Sequence, residues 1–146
     1  MPLNVAALQS GLESVFSNPP GTYAEAAQGW ADAAQSWATG ITPPSTTVAA
    51  AAATLSSQLA AAFEQQDAIA SMESAFSAFA LTVGGGMAGF VPTPPPAPVG
   101  FQQQFSSPHP ETHAAAAQAI AGIIDAWMRT GIATMVAPPN TPVPWS

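Results

Sequence analysis

Apolar residues recur at intervals of three, four or seven positions in five blocks of this sequence, and prolines separate most of the blocks. The apolar positions are Val5, Leu8, Leu12, Val15 and Phe16; Tyr23, Trp30 and Trp37; Val48, Leu55, Leu59 and Phe63; Ile69, Met72, Phe76, Phe79 and Val83; and Ile120, Ile123, Ile124 and Trp127. This spacing places each set on one face of a helix. Proline is tolerated at helix ends and in loops, which fits its positions here. No segment shows sustained alternation with a period of two, so we predict an all-α fold, an antiparallel bundle of four to five helices.

Short polar motifs indicate where these helices begin and end. Thr22 and Glu25 have the Thr-x-x-Glu spacing of a capping box at the start of the second helix. Gly40 follows the same helix and is expected to end it in a left-handed conformation. Asp67 is the expected N-cap of the fourth helix. Arg129 is expected at the end of the last helix, where its charge complements the negative helix terminus.

The prolines and the periodic blocks together divide the chain into four parts. Residues 1–91 are predicted to form a bundle of helices 1 to 4, and residues 109–133 a final helix that completes it. Between them, residues 92–108 form a Pro-rich extended segment, which we call the strap. Residues 134–146 form a Pro-rich, extended C-terminal arm. Polyproline segments are stiff and extended, so they lose little entropy when they dock.

The strap and the arm carry the residues predicted to form an interface between subunits, namely Pro94, Pro95, Pro96, Phe101, Phe105 and Trp145. Two interpretations are open: these residues fold back onto their own bundle, or they reach a neighbouring subunit. Only 6% of residues are charged while 48% are hydrophobic, and residues 74–110 carry no charge. A surface so poor in charge is expected to be covered by other subunits, which favours the neighbour.

Charge also limits the partners. The chain has eight acidic residues, one basic residue (Arg129) and a net charge of −7. Binding to a phosphate backbone requires several cations, so we expect no sequence-specific nucleic-acid binding. Anionic membrane surfaces are disfavoured for the same reason, and we expect no membrane partner. Residues 75–91 are apolar over about the minimum length of a membrane span, but they include three consecutive glycines and lack basic flanks.

The residues that could carry chemistry are few. The chain has no cysteine. His109 and His113 are four residues apart with Glu111 between them, but no third and fourth ligands are evident, so we predict no metal site. The glycines at 84–86 are not followed by the Lys-Ser/Thr pair of a phosphate-binding loop. We therefore predict no catalytic residue, no cofactor and no enzymatic activity.

Three stretches carry a resemblance to a known group of proteins. They are AAQGWADAAQSWATGITPPSTTVAAAAATLSSQLAAAF (residues 26–63), ESAFSAFALTVGGGMAGFVPTPPPAPVGF (residues 73–101) and THAAAAQAIAGIIDAWMRTG (residues 112–131). In composition this chain resembles the small Ala/Pro-rich virion proteins of tailed bacteriophages, which are encoded among head and tail morphogenesis genes. The resemblance carries over no catalytic residue.

The resemblance implies a structural protein of the head–tail neck or its surroundings, present in the virion as a homo-oligomeric ring. It would be made in the host bacterial cytoplasm and would contact portal, adaptor, tail or capsid subunits. A net charge of −7 per subunit, repeated around a ring, would repel a sliding DNA duplex. Three alternatives stay open: a capsid decoration or minor head protein, a membrane-acting holin-like lysis protein, and an assembly chaperone.

Overall fold

A computed structural model describes residues 2–106, 108 and 110–146 of the chain. Within these residues the helices are α1 (Val5–Ser17), α2 (Tyr23–Ala38), α3 (Val48–Phe63), α4 (Ala68–Gly85), α5 (Phe101–Ser106) and α6 (His113–Met128). The strands are β1 (Phe90–Thr93), β2 (Ile132–Met135) and β3 (Pro142–Pro144). The protein is mostly helical, which confirms the predicted bundle. The all-α prediction is wrong, because the three strands form a small antiparallel sheet.

The long helices pack side by side in a row, and the strap connects the two ends of this row. Helix α1 packs against α2 and α6, α2 packs against α3, and α3 packs against α4. The order is therefore α4–α3–α2–α1–α6, with α4 and α6 at the two ends. The short helix α5 contacts both α4 and α6 and bridges them. The strap is therefore part of the folded bundle and is only partly extended.

The core is built from aromatic rings and closely packed alanines. Trp30, Trp37 and Trp127, each on a predicted apolar helix face, are 6%, 0% and 6% exposed and lie in the core. Trp30 packs edge-to-face against Phe16, Phe63 and Phe76, with ring centroids 6.0, 6.1 and 6.3 Å away. Small residues allow the helix backbones to approach closely: a methyl group added at Gly11 of α1 would overlap Cβ of Ala33 of α2.

Most helix ends follow the predicted capping chemistry. The Thr22 hydroxyl accepts a hydrogen bond from the Glu25 amide at 3.2 Å, and the Glu25 carboxylate accepts one from the Gly21 amide at 3.1 Å. Asp67 accepts from the amide three residues further on, which confirms it as the N-cap of α4. The prediction for Gly40 is wrong. Helix α2 ends at Ala38 with a right-handed C-cap at Thr39, and Gly40 is not left-handed, because the chain turns at once and the amide of the buried Ile41 donates to the Ala38 carbonyl at 3.0 Å.

The sheet lies at one end of the bundle, after the C-terminal ends of α4 and α6. Strand β2 is central, and it pairs Phe90 with Met135 on one side and Ile132 with Pro144 on the other. Within the sheet, prolines occur only in the two edge strands. There the missing N–H can face outward, so no hydrogen bond to β2 is lost. The C-terminal arm thus contributes strand β3 and part of β2, and is not a free extension.

Candidate interaction surfaces

Phe101 of the predicted interface lies inside the protein's own core. It is 0% exposed, and its ring centroid lies 5.3 Å from that of Phe76 on α4. A side chain without exposed area cannot anchor a contact with another chain. The prediction that Phe101 anchors an interface is therefore wrong, and the alternative that the strap folds back onto its own bundle applies to this residue.

The prediction that Trp145 anchors an interface is wrong for the same reason. Its side chain is 1% exposed and lies against Gly84 and Gly131, where an added methyl group would overlap the indole ring or press on it. The Trp145 amide donates to the Gly131 carbonyl at 2.9 Å, and Ser146 exchanges two backbone hydrogen bonds with Thr42. The arm is thus docked on its own chain. The two glycines leave the space that the indole fills, and they are the signal that the sequence reasoning missed.

The prolines of the predicted interface are tied to α6 through Pro96. Pro95 is buried, Pro94 is half-buried and Pro96 is exposed. The Pro96 carbonyl accepts a hydrogen bond from Nε1 of Trp127 at 2.8 Å, which fixes this part of the strap to its own bundle. Phe105 is 37% exposed. Of the six predicted residues, Pro96 and Phe105 are exposed and Pro94 is half-buried, so the role of these three at an interface stays a prediction.

A single carboxylate fastens the strap to α4. Glu73 accepts hydrogen bonds from the backbone amides of Val99, Gly100 (3.1 Å) and Phe101 (2.8 Å). These amides form the start of α5, where a negative charge is favourable and charge-assisted hydrogen bonds are strong. Sequence reasoning missed this contact because it joins positions 26 to 28 residues apart without a local motif.

The single basic residue, Arg129, also makes its contacts within the chain. Arg129 lies at the end of α6 as predicted, and its Nε is 2.7 Å from the Asp125 carboxylate. A second nitrogen of its guanidinium donates to the Leu3 carbonyl at 3.1 Å. The other oxygen of Asp125 accepts from Nε1 of Trp37 at 2.8 Å. This ion pair therefore joins α6, α2 and the N-terminal segment.

An open cleft of about 1160 Å³ lies at the end of the bundle opposite the sheet. It opens among the C-terminal ends of α1, α3 and α5 and the N-terminal ends of α2, α4 and α6. We call it the aromatic cleft, and its lining includes Phe16, Tyr23, Trp30, Phe63, Met72 and Phe105. Tyr23 is 56% exposed and Phe105 37% exposed, so both rings are accessible from outside. Glu64 and His113 add polar groups to the lining.

The sheet presents an apolar surface at the other end. The register places Val91, Thr93, Ile132, Thr134, Pro142 and Pro144 on one face, which we call the outer sheet face. Val91 is 58% and Ile132 40% exposed, whereas Ala133 on the opposite face is fully buried. Strands β2 and β3 are joined by residues 136–141, the hairpin tip, which are all exposed and include Val136 at 60%.

The two ends differ in charge. Four acidic residues lie at the cleft end: Glu25 in the first turn of α2, Glu64 in the cleft, Asp67 capping α4 and Glu111 just before α6. At the sheet end, the charged side chains of the described residues are Asp125 and Arg129, which neutralise each other. The protein therefore has an acidic end with an aromatic cleft and an uncharged end with an exposed apolar sheet.

Features for metal binding or membrane crossing are few in the described residues. Among residues 2–106, 108 and 110–146, no three His, Asp or Glu side chains lie close enough to hold a metal ion. His109 lies outside the described residues, and His113 lies at the aromatic cleft. In the same part of the chain, α4 is the one helix long and apolar enough to cross a membrane. A core helix meets the same criteria, and α4 buries Phe76 and Phe79 in the bundle.

No family model, curated protein or solved structure matches this chain. The resemblance to virion proteins of tailed bacteriophages therefore stays a prediction.

Proposed function

We propose that this chain is a non-enzymatic structural component of a bacteriophage virion, a ring-forming protein of the head–tail neck. The observation that carries the proposal is the uncharged end of the bundle, with Val91, Ile132 and Val136 at 58%, 40% and 60% exposure. Contiguous apolar surface without charged neighbours is poorly solvated and marks a surface that associates. An assembly in which every copy covers this end accounts for it.

The fold suits a building block that enters the assembly already formed. Phe101 of the strap and Trp145 of the arm are buried within the chain. Docking then requires no refolding, and the ordering cost of association is small. The partners in this proposal are further copies in a ring, together with portal, adaptor, tail or capsid subunits.

The charge distribution is consistent with a position on the path of DNA. Repeating a net charge of −7 around a ring gives a negative field, which repels a duplex and leaves it free to slide. The proposal needs no cofactor, metal or catalytic residue. A capsid decoration or minor head protein is the alternative that would use the same exposed surface.

The deciding experiment is the copy number and position of this chain in purified phage particles. Quantitative mass spectrometry gives copies per particle, and antibody labelling in electron micrographs gives the position. We expect a copy number equal to a single ring, with label at the head–tail junction. Label over the whole shell would indicate a capsid decoration protein and contradict the proposed position at the neck. Absence from mature particles would overturn the virion proposal in favour of an assembly chaperone, and extraction only with detergent would point to a membrane-acting protein.

A further inference from the structure

We propose that copies of this chain associate head to tail, with the hairpin tip of one copy (residues 136–141) seated in the aromatic cleft of the next. The proposal deepens the ring-forming function above and rests on it for the biological setting. The contact itself is argued from the geometry, charge and chemistry of this chain.

The two surfaces lie at opposite ends of the same helix. Helix α6 begins with His113, which lines the aromatic cleft, and ends with Met128, four residues before β2. Sixteen residues of α-helix span about 24 Å, so the hairpin tip cannot reach the cleft of its own chain. A contact between two different surfaces at opposite ends is heterologous, and it closes into a ring or continues as a filament.

Charge selects this pairing over the symmetric ones. Joining two cleft ends would bring together two sets of Glu25, Glu64, Asp67 and Glu111, and like charges at an interface are repulsive. Joining two sheet ends would leave both aromatic clefts open. The sheet end brings to the cleft no unpaired charge from the described residues, since Asp125 and Arg129 neutralise each other. A second copy presented by its uncharged end is therefore the complementary occupant.

The hairpin tip also suits the cleft chemically. Its residues are Val136, Ala137, Pro138, Pro139, Asn140 and Thr141, all of them uncharged and exposed. Exposed aromatic rings such as Tyr23 and Phe105 are good surfaces for proline and valine side chains. The cleft volume of about 1160 Å³ exceeds the roughly 300–1000 Å³ typical of small-molecule sites. That size leaves room for a turn of polypeptide.

The tip is already held in one conformation. The Met135 amide donates to the Thr141 carbonyl at 3.2 Å, the Val136 amide to the Gly89 carbonyl at 3.1 Å, and the Thr141 hydroxyl to the Pro139 carbonyl at 2.6 Å. A preorganised segment loses less entropy on docking. A six-residue tip is small beside the roughly 800 Å² per partner of a standard interface, so we expect weak association.

Sedimentation velocity of the full chain over a concentration series tests the proposal. Three exposed positions receive the same change: Tyr23→Asp at the cleft, Val136→Asp at the hairpin tip, and Leu81→Asp on α4 as the control. The natural chain and Leu81→Asp should show a mean mass that rises with concentration. Tyr23→Asp and Val136→Asp should each stay monomeric. Circular dichroism checks folding, and Phe105→Asp is a second cleft variant if Tyr23→Asp loses helix.

Mixing Tyr23→Asp with Val136→Asp tests directly whether the cleft of one copy binds the hairpin tip of another. Tyr23→Asp keeps its hairpin tip and Val136→Asp keeps its cleft, so an equimolar mixture should form a one-to-one dimer that grows no further. A natural chain that is monomeric up to millimolar concentration overturns the proposal. So does a mixture that stays monomeric while the natural chain associates, because the contact would then lie elsewhere. Head-to-tail association by a chain absent from virions would overturn only the proposed function.

Discussion

The Glu73 carboxylate is expected to be the main fastening of the strap, and removing it tests the structural reasoning directly. Glu73→Ala leaves the amides of Val99, Gly100 and Phe101 at the start of α5 without their acceptor. A hydrogen bond to a charged group contributes about 1.5–3 kcal/mol, and a buried amide left unsatisfied costs about 1–3 kcal/mol. Glu73 and Gly100 are only half-buried, so water replaces part of the loss. We expect the free energy of unfolding to fall by about 2–4 kcal/mol, and by less for Glu73→Gln.

Urea unfolding followed by circular dichroism measures this change, with Glu111→Ala as the control. Glu111 is an exposed acid just before α6, so its removal should change the free energy of unfolding by less than about 0.5 kcal/mol. Hydrogen exchange supplies a local measurement, since the amides of residues 99–101 should lose protection in Glu73→Ala. Equal stabilities of the two variants, or unchanged protection at residues 99–101, would refute the assignment of Glu73 as the fastening.

Four further outcomes are expected, three of them from the packing. Gly131→Ala should destabilise the protein by about 1–3 kcal/mol in urea unfolding, because its methyl group would overlap the Trp145 ring. Gly122→Ala, with open space around it on α6, should instead stabilise by about 0.5–1 kcal/mol, and equal signs for the two would contradict the docked arm. Trp37→Ala should cost about 3–5 kcal/mol, since the ring is fully buried, and a near-neutral effect would contradict its core position. The dialysed protein should bind no stoichiometric zinc, and zinc lost on His113→Ala would contradict this.

The helices could be predicted because their signals are local. Residues three and four positions apart share a helix face. The core positions of Val48, Leu55 and Leu59 on α3 can therefore be predicted without knowledge of the rest of the chain. Caps such as Thr22 and Asp67 act within three residues. Both kinds of signal can be read in a single sequence, and the structure agrees with them.

The sheet and the docked arm depend on contacts that no local pattern encodes. The pair Phe90 and Met135 is separated by 45 positions (135 − 90), and strands of three or four residues are too short for an alternation to be visible. The Trp145 position depends on glycines at 84 and 131, whose missing side chains leave the space for the indole. The aromatic cleft likewise combines residues from six helices. Its candidate role could be argued only after the ends of the helices had been brought together.

Burial of Phe101 and Trp145 in their own chain changes how assembly has to be explained. Burying one such side chain stabilises a contact by about 2 kcal/mol, whether the contact is within a chain or between chains. Association between chains costs in addition about 4–15 kcal/mol of translational and rotational freedom, whereas folding back costs none of it. Large apolar side chains that fit a site on their own bundle are therefore buried there, as Phe101 and Trp145 are. The proposed assembly would use the surfaces that folding does not cover, and these differ between the two ends, with four acids at one end and a neutral sheet at the other.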